Sequence, residues 1–115
     1  MKRAIILIGF LGLFFGCEKE NLPKDTPKCI ENKINEISKG DVWNPPAKVY
    51  RYKYNGQIVY YFPPRCCDIP STLYDENCNI ICSPDGGLTG GGDGKCSDFF
   101  DSRTDEKLIW EDTRE

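Results

Sequence analysis

The chain has 115 residues, room for one small domain and not for two cores. Fifteen basic and eighteen acidic side chains leave a net charge of −3 with no basic run, which excludes the electrostatic footprint of a nucleic-acid binder. Histidine is absent, which removes the commonest general base and the commonest zinc ligand, so an enzyme is not expected; seven cysteines point to an oxidising compartment and a disulfide scaffold.

Lys2 and Arg3 precede an apolar run over residues 4–15. That is the length of a signal-peptide core and shorter than the roughly twenty residues of a membrane-spanning helix. The run ends in Phe14-Phe15-Gly16-Cys17, which resembles a bacterial lipobox, where the signal peptidase cuts before a lipidated cysteine. Residues 1–16 are therefore expected to be a lipoprotein signal peptide and Cys17 the acylated first residue of the mature chain. Several acyl chains on one residue make such an anchor stable, each buried methylene contributing about 0.8 kcal/mol. Glu18-Lys19-Glu20 resembles the acidic export signal of Bacteroidota surface lipoproteins, which implies an outer-membrane protein, lipid-anchored and exposed at the cell surface. Cleavage before Cys17 leaves 13 basic against 18 acidic side chains. Residues 17–28, charged and interrupted by Pro23 and Pro27, read as a lipidated tether, with a single cysteine-rich domain over residues 29–115.

Asp25 or Thr26 is placed to cap a helix with Pro27 in its first turn. Ile30, Ile34 and Ile37 then recur at helical spacing until Gly40 offers a left-handed stop. The spacing predicts one short amphipathic helix whose isoleucine stripe faces a core. Trp43 with Pro45 and Pro46 predicts an extended turn. Residues 49–62 are β-branched or aromatic on both sides of Asn55-Gly56, the dipeptide of a two-residue type I′ hairpin. Pairing outward from that turn puts Tyr54 opposite Gln57, Tyr52 opposite Val59 and Tyr50 opposite Tyr61 on one face. Lys53 with Ile58, Arg51 with Tyr60 and Val49 with Phe62 fall on the other. One face must cover the helix, and the pattern leaves open which.

Leu73-Tyr74, Asp75-Glu76-Asn77 and Ile80-Ile81 predict a second, shorter hairpin. Residues 83–95 hold six glycines and predict a loop, ordered by a crosslink or flexible. Lys107 to Glu111 is the last apolar segment and predicts an edge strand. The fold class is α+β: an N-terminal helix packed on an antiparallel hairpin sheet and stapled by disulfides.

Cys29, Cys66, Cys67, Cys78, Cys82 and Cys96 are an even set, as three disulfides require. Cys66 and Cys67 are neighbours and are expected to bridge to two different parts of the chain; the pairing is otherwise open. Zinc held by four thiolates is not expected, because no paired Cys-x-x-Cys knuckles occur. Asp85, Asp93 and Asp98 lie in or beside the glycine-rich loop and offer oxygen ligands for calcium, although the spacing matches no EF-hand; a tight-turn loop capped by aspartates accounts for the same residues. Successive glycine amides also suit an anion. Trp43, Tyr50, Tyr52 and Tyr61, with Tyr54 and Tyr60, suggest an aromatic platform for sugar rings or a partner protein, or else the core of a small sheet.

The interval from Cys67 to Cys78, with Tyr74 between, is similar to that of Kazal-type protease inhibitors, but the adjacent Cys66 leaves no room for their reactive loop. A wider pattern is made by Trp43-Asn44-Pro45-Pro46-Ala47, Tyr52-Lys53-Tyr54-Asn55-Gly56, Val59-Tyr60-Tyr61, Cys66-Cys67-Asp68, Leu73-Tyr74-Asp75, Ile81-Cys82-Ser83-Pro84-Asp85-Gly86-Gly87 and Gly92-Asp93-Gly94-Lys95-Cys96. Together these resemble a small family of Bacteroidota lipoproteins, a domain of unknown function (DUF6970). The resemblance implies no activity, cofactor or site residue. The expected role is a non-catalytic module that binds a glycan or protein, the alternative being a structural accessory of an envelope complex. The expected partners are the membrane, through the lipid anchor, and that ligand; neither a cofactor nor a resident metal is expected.

Overall fold

Asn55 and Gly56 both take positive φ, 52° and 80°, as a type I′ turn demands, and so fix the register of the strands they join. The protein is described here from a computed structural model covering residues 22–66 and 68–114. Strand β1 (Lys48–Tyr54) pairs with β2 (Gln57–Phe62) through Tyr54 with Gln57, Tyr52 with Val59 and Tyr50 with Tyr61, the register the turn predicts. Strand β3 (Thr72–Tyr74) lies beside β2, β4 (Ile80–Cys82) lies outside β3, and β5 (Thr104–Glu111) flanks β1 on the other side. The five-stranded sheet is antiparallel, in the order β4-β3-β2-β1-β5. The short hairpin and the late edge strand are both present.

Helix α1 (Lys28–Lys39) buries Ile30 and Ile34 completely. It covers the face carrying Val49, Tyr60 and Phe62, joined there by Ile109 and Trp110 from β5. The two cations of that face stay at its margin. Arg51 reaches Asp25 at 2.6 Å, and Leu22 packs on the same cluster. The stretch from Leu22 to Pro27, read as tether from its composition, therefore lies against the domain.

Both predicted helix stops need correction. Neither Asp25 nor Thr26 caps α1; Pro27 holds the cap position with no side-chain bond, because the Asp25 carboxylate is engaged by Arg51. Gly40 is extended, at φ −90°, instead of left-handed. The helix end is closed from a distance. Arg114 donates to the carbonyls of Gly40, at 2.8 Å, and Ile37, at 3.2 Å, while its guanidinium also grips the buried carboxylate of Asp112. A cation at exposed helical carbonyls is favoured by the helix dipole.

The opposite face of the sheet carries Tyr52, Tyr54, Val59 and Tyr61, and it too is covered. Phe99, first residue of the one-turn helix α2 (Phe99–Ser102), is fully buried among these tyrosines. Its ring centroid stands 5.4 Å from Tyr52, 5.2 Å from Tyr54 and 5.6 Å from Tyr61. Each tyrosine hydroxyl donates to a carboxylate: Tyr52 to Glu106 at 3.0 Å, Tyr54 to Asp98 at 2.7 Å and Tyr61 to Asp85 at 2.7 Å. A buried phenol without a partner costs about 1–3 kcal/mol, so these bonds let the face be aromatic and dry together.

The glycine-rich loop that helps build this second cover is ordered by its crosslink. Cys82–Cys96 closes it, and the Asp93 carboxylate accepts from the backbone of Ser83 and of Lys95. Gly92, at φ 71°, passes so close to the Ser83 carbonyl that a Cβ there would collide with it. Cys29–Cys78 ties the first turn of α1 to the β3–β4 connection across 49 residues. On the chain-entropy model the two bridges contribute about 4 and about 3 kcal/mol. Cys66 is disulfide-bonded as well. The other four domain cysteines pair among themselves, so none of them is the partner of Cys66; Cys67, the second of the neighbours expected to bridge to two different parts of the chain, lies outside the described residues.

Two tests follow from this architecture. Gly56→Val places a β-branched residue at positive φ with open space around it, so the cost is conformational alone; urea denaturation should show a loss of about 1–3 kcal/mol. Alkaline pH should also unfold the domain through its tyrosines. Burial, then the hydrogen bond to Glu106, pushes the Tyr52 phenol up to about 12, and burial with Asp85 moves Tyr61 the same way. Unfolded tyrosines ionise near about 10. The stability they contribute is intact below about pH 10 and lost as pH rises toward 12. Melting temperature should fall steeply over that window, and less steeply in Tyr52→Phe.

Candidate functional site

The four aromatic residues predicted to form a platform do not form one. Tyr52 and Tyr61 are 4% and 6% exposed, sealed beneath Phe99, with Tyr50 half-buried beside them. Trp43 packs instead against the helix-covered cluster. The reason lies in β1 and β2: alternation puts four tyrosines on one face, and such a face is stable only if it is covered. Trp43 and Tyr50 still meet, at the two sides of a cleft of about 220 Å³ walled by Pro45, Pro46, Pro63 and Pro64.

The aspartates are likewise kept apart. Asp85 receives the Tyr61 hydroxyl, Asp93 clamps the loop backbone, and Asp98 receives the hydroxyls of Tyr54 and Ser102. The backbone N–H of Lys95 holds Asp93 below the usual carboxylate range, and the Tyr54 hydroxyl does so for Asp98. Among the described residues no three carboxylates or thiols gather where a metal could sit. The calcium reading is thus replaced by the turn-capping one. The glycine amides are engaged within the loop, Gly86 donating to Gly90, Gly90 to Gly87 and Gly92 to Gly86, which leaves those three unavailable to an anion. Cys17, the expected lipidation site, lies outside the described residues. Cys78, part of the inhibitor-like spacing, pairs with Cys29.

A larger groove of about 330 Å³ opens between α1 and the sheet. Lys33, Glu36 and Ile37 form its helical wall; Phe62, Thr72 and Tyr74 from β2 and β3 form its floor; Trp43, Arg65 and Ile69 close its mouth. Two cations are held over rings: the Lys33 ammonium lies 4.6 Å from the Tyr74 centroid, and the Arg65 guanidinium 5.1 Å from that of Trp43. Neither has a carboxylate within ion-pair distance among the described residues. Glu36 is the one carboxylate in the lining. The arrangement suits binding: rings and prolines supply apolar walls, two oriented cations supply charge, and no thiol or imidazole lines it.

Trp43 was the sole residue of this groove among the predicted site residues. Lys33, the stretch from Phe62 to Arg65, and Tyr74 come from three separate segments, and no spacing in the sequence links the three. The dipeptide Pro63-Pro64 was the available signal, because two rigid residues at the end of a strand project the next side chain, Arg65, away from the sheet.

No helix among the described residues is long and apolar enough to cross a membrane. No curated protein and no solved structure matches the chain. The model of one protein family, described as a domain of unknown function (DUF6970), matches residues 35–112, from the second half of α1 through β5 to the buried Asp112. That span includes all five strands, the second cover and most of the groove, and the chain belongs to this family.

Proposed function

We propose that the chain is a lipid-anchored lipoprotein of the outer membrane, of Bacteroidota type, that binds a ligand without catalysis through the Trp43 groove. The observation that carries the binding reading is the pair of ring-held cations, Lys33 and Arg65, facing a partly apolar groove with no ion-pair partner among the described residues. A cavity of this size falls at the small end of small-molecule sites, roughly 300–1,000 Å³. The anchor reading is supported by Lys2 and Arg3, the apolar run and Gly16-Cys17. A non-catalytic role is supported by the absence of histidine and by a groove whose lining pairs no nucleophile with a base.

The anchor is tested by Cys17→Ser. The variant should lose fatty-acid labelling and leave the membrane fraction; unchanged labelling and fractionation would remove the lipoprotein reading. The binding role is tested with Trp43→Ala in the full chain, screened beside the unaltered protein on glycan and peptide arrays. The unaltered chain should retain a ligand that the variant binds at least tenfold more weakly, with the Tyr-rich core intact by near-ultraviolet circular dichroism. A stoichiometric membrane partner indifferent to Trp43, with no array signal, would favour the accessory role.

A further inference from the structure

We infer that the groove selects an acidic saccharide, a pyranose ring bearing a carboxylate, with Lys33 and Arg65 as the residues that choose its charge; this rests on the binding role proposed for the same groove. The chain as a whole is acidic, yet the groove lining carries two cations and one carboxylate. Among the described residues Lys28, Arg51 and Arg114 are neutralised by Glu31, Asp25 and Asp112. Lys33 and Arg65 are instead held by Tyr74 and Trp43, whose ring faces orient a positive charge without cancelling it. An anion entering the groove meets two charges already in position, so little side-chain entropy is lost on binding.

The rest of the lining favours a sugar ring over a peptide. A peptide bound by strand addition draws its affinity from main-chain bonds to a sheet edge. The floor of this groove is β2 and β3, interior strands of the sheet, with β4 and β5 at its two edges. No sheet edge therefore faces a ligand in this groove. Trp43, Phe62 and Tyr74 present flat apolar surface to the C–H faces of a pyranose, and the Glu36 carboxylate with the Thr72 hydroxyl can accept from its hydroxyl groups. The groove shares Trp43 and Pro63 with the neighbouring cleft, where Lys48 adds a third cation. A ligand of two or three sugar units can lie across Trp43 and use both.

The test is calorimetric titration of the full chain with trigalacturonate, its neutral methyl ester, and a hexaglutamate peptide, together with the Lys33→Gln/Arg65→Gln and Trp43→Ala variants. Trigalacturonate should bind, more weakly as salt is raised. The methyl ester should bind at least tenfold more weakly, the double variant should lose at least tenfold in trigalacturonate affinity with unchanged melting temperature, and Arg65→Lys should retain part of it. Failure of trigalacturonate to bind, equal binding of the ester, or indifference to the double substitution overturns the inference. Trp43-dependent binding of the ester or the peptide as tight as that of trigalacturonate overturns the acidic-sugar assignment and leaves the binding role standing. Trigalacturonate binding that is unaltered in Trp43→Ala overturns both.

Discussion

Strands β1 and β2 carry large side chains on both faces, so a sheet centred on them is stable only with two covers, and the described residues offer one full helix. The second cover is therefore improvised from a glycine-rich loop and a single helical turn. Three phenols make that possible. Each donates to a carboxylate on the covering segments or on β5, so the same side chains fill the core with ring area and pin the cover in place. Hydrogen bonds to charged acceptors contribute about 1.5–3 kcal/mol each, more than a neutral pair, which suits a cover with little apolar area of its own.

The helix-covered face obeys different physics. There the contact is aliphatic, Ile30 and Ile34 against Val49 and Ile109, and polar chemistry is pushed to the perimeter. Arg51 holds the segment before α1 through the Asp25 carboxylate, and Arg114, paired with Asp112, holds the end of α1 by donating to the Ile37 and Gly40 carbonyls. Lys33 and Arg65 are the exceptions in the groove, lying on rings with no carboxylate partner among the described residues.

The hairpin was readable to the residue because Asn55-Gly56 permits one turn geometry, and that geometry dictates every pair outward from it. Which face the helix would cover was not readable, since both faces are apolar enough to be buried. Phe99 escaped notice because a helix of one turn is too short to show a period, although it is the centre of the second core. The helix caps were misassigned because side chains from outside the helix, Arg51 and Arg114, took over the groups that local capping would have used. Cysteine pairing was open for a combinatorial reason, and only the fold pairs Cys29 with Cys78 and Cys82 with Cys96. The groove was invisible because its walls converge from distant segments, and the tyrosines that looked like a binding surface are the core they were weighed against.

The two bridges with known partners also define how the domain carries mechanical load. Tension applied between residues 22 and 114 runs along the backbone to Cys29, crosses to Cys78, continues to Cys82 and crosses again to Cys96. Residues 30–77 and 83–95 lie in closed loops off that path and bear no force. Of the sheet only its two edge strands, β4 and β5, are on it, so covalent extension reaches those two and not β1, β2 or β3. The strained backbone then extends by about 100 Å at roughly 3.3–3.6 Å per residue, near a third of what the same span would reach uncrosslinked. The hairpin, nearly all of α1 and the groove between them remain folded under a pull that has already extended the two edge strands.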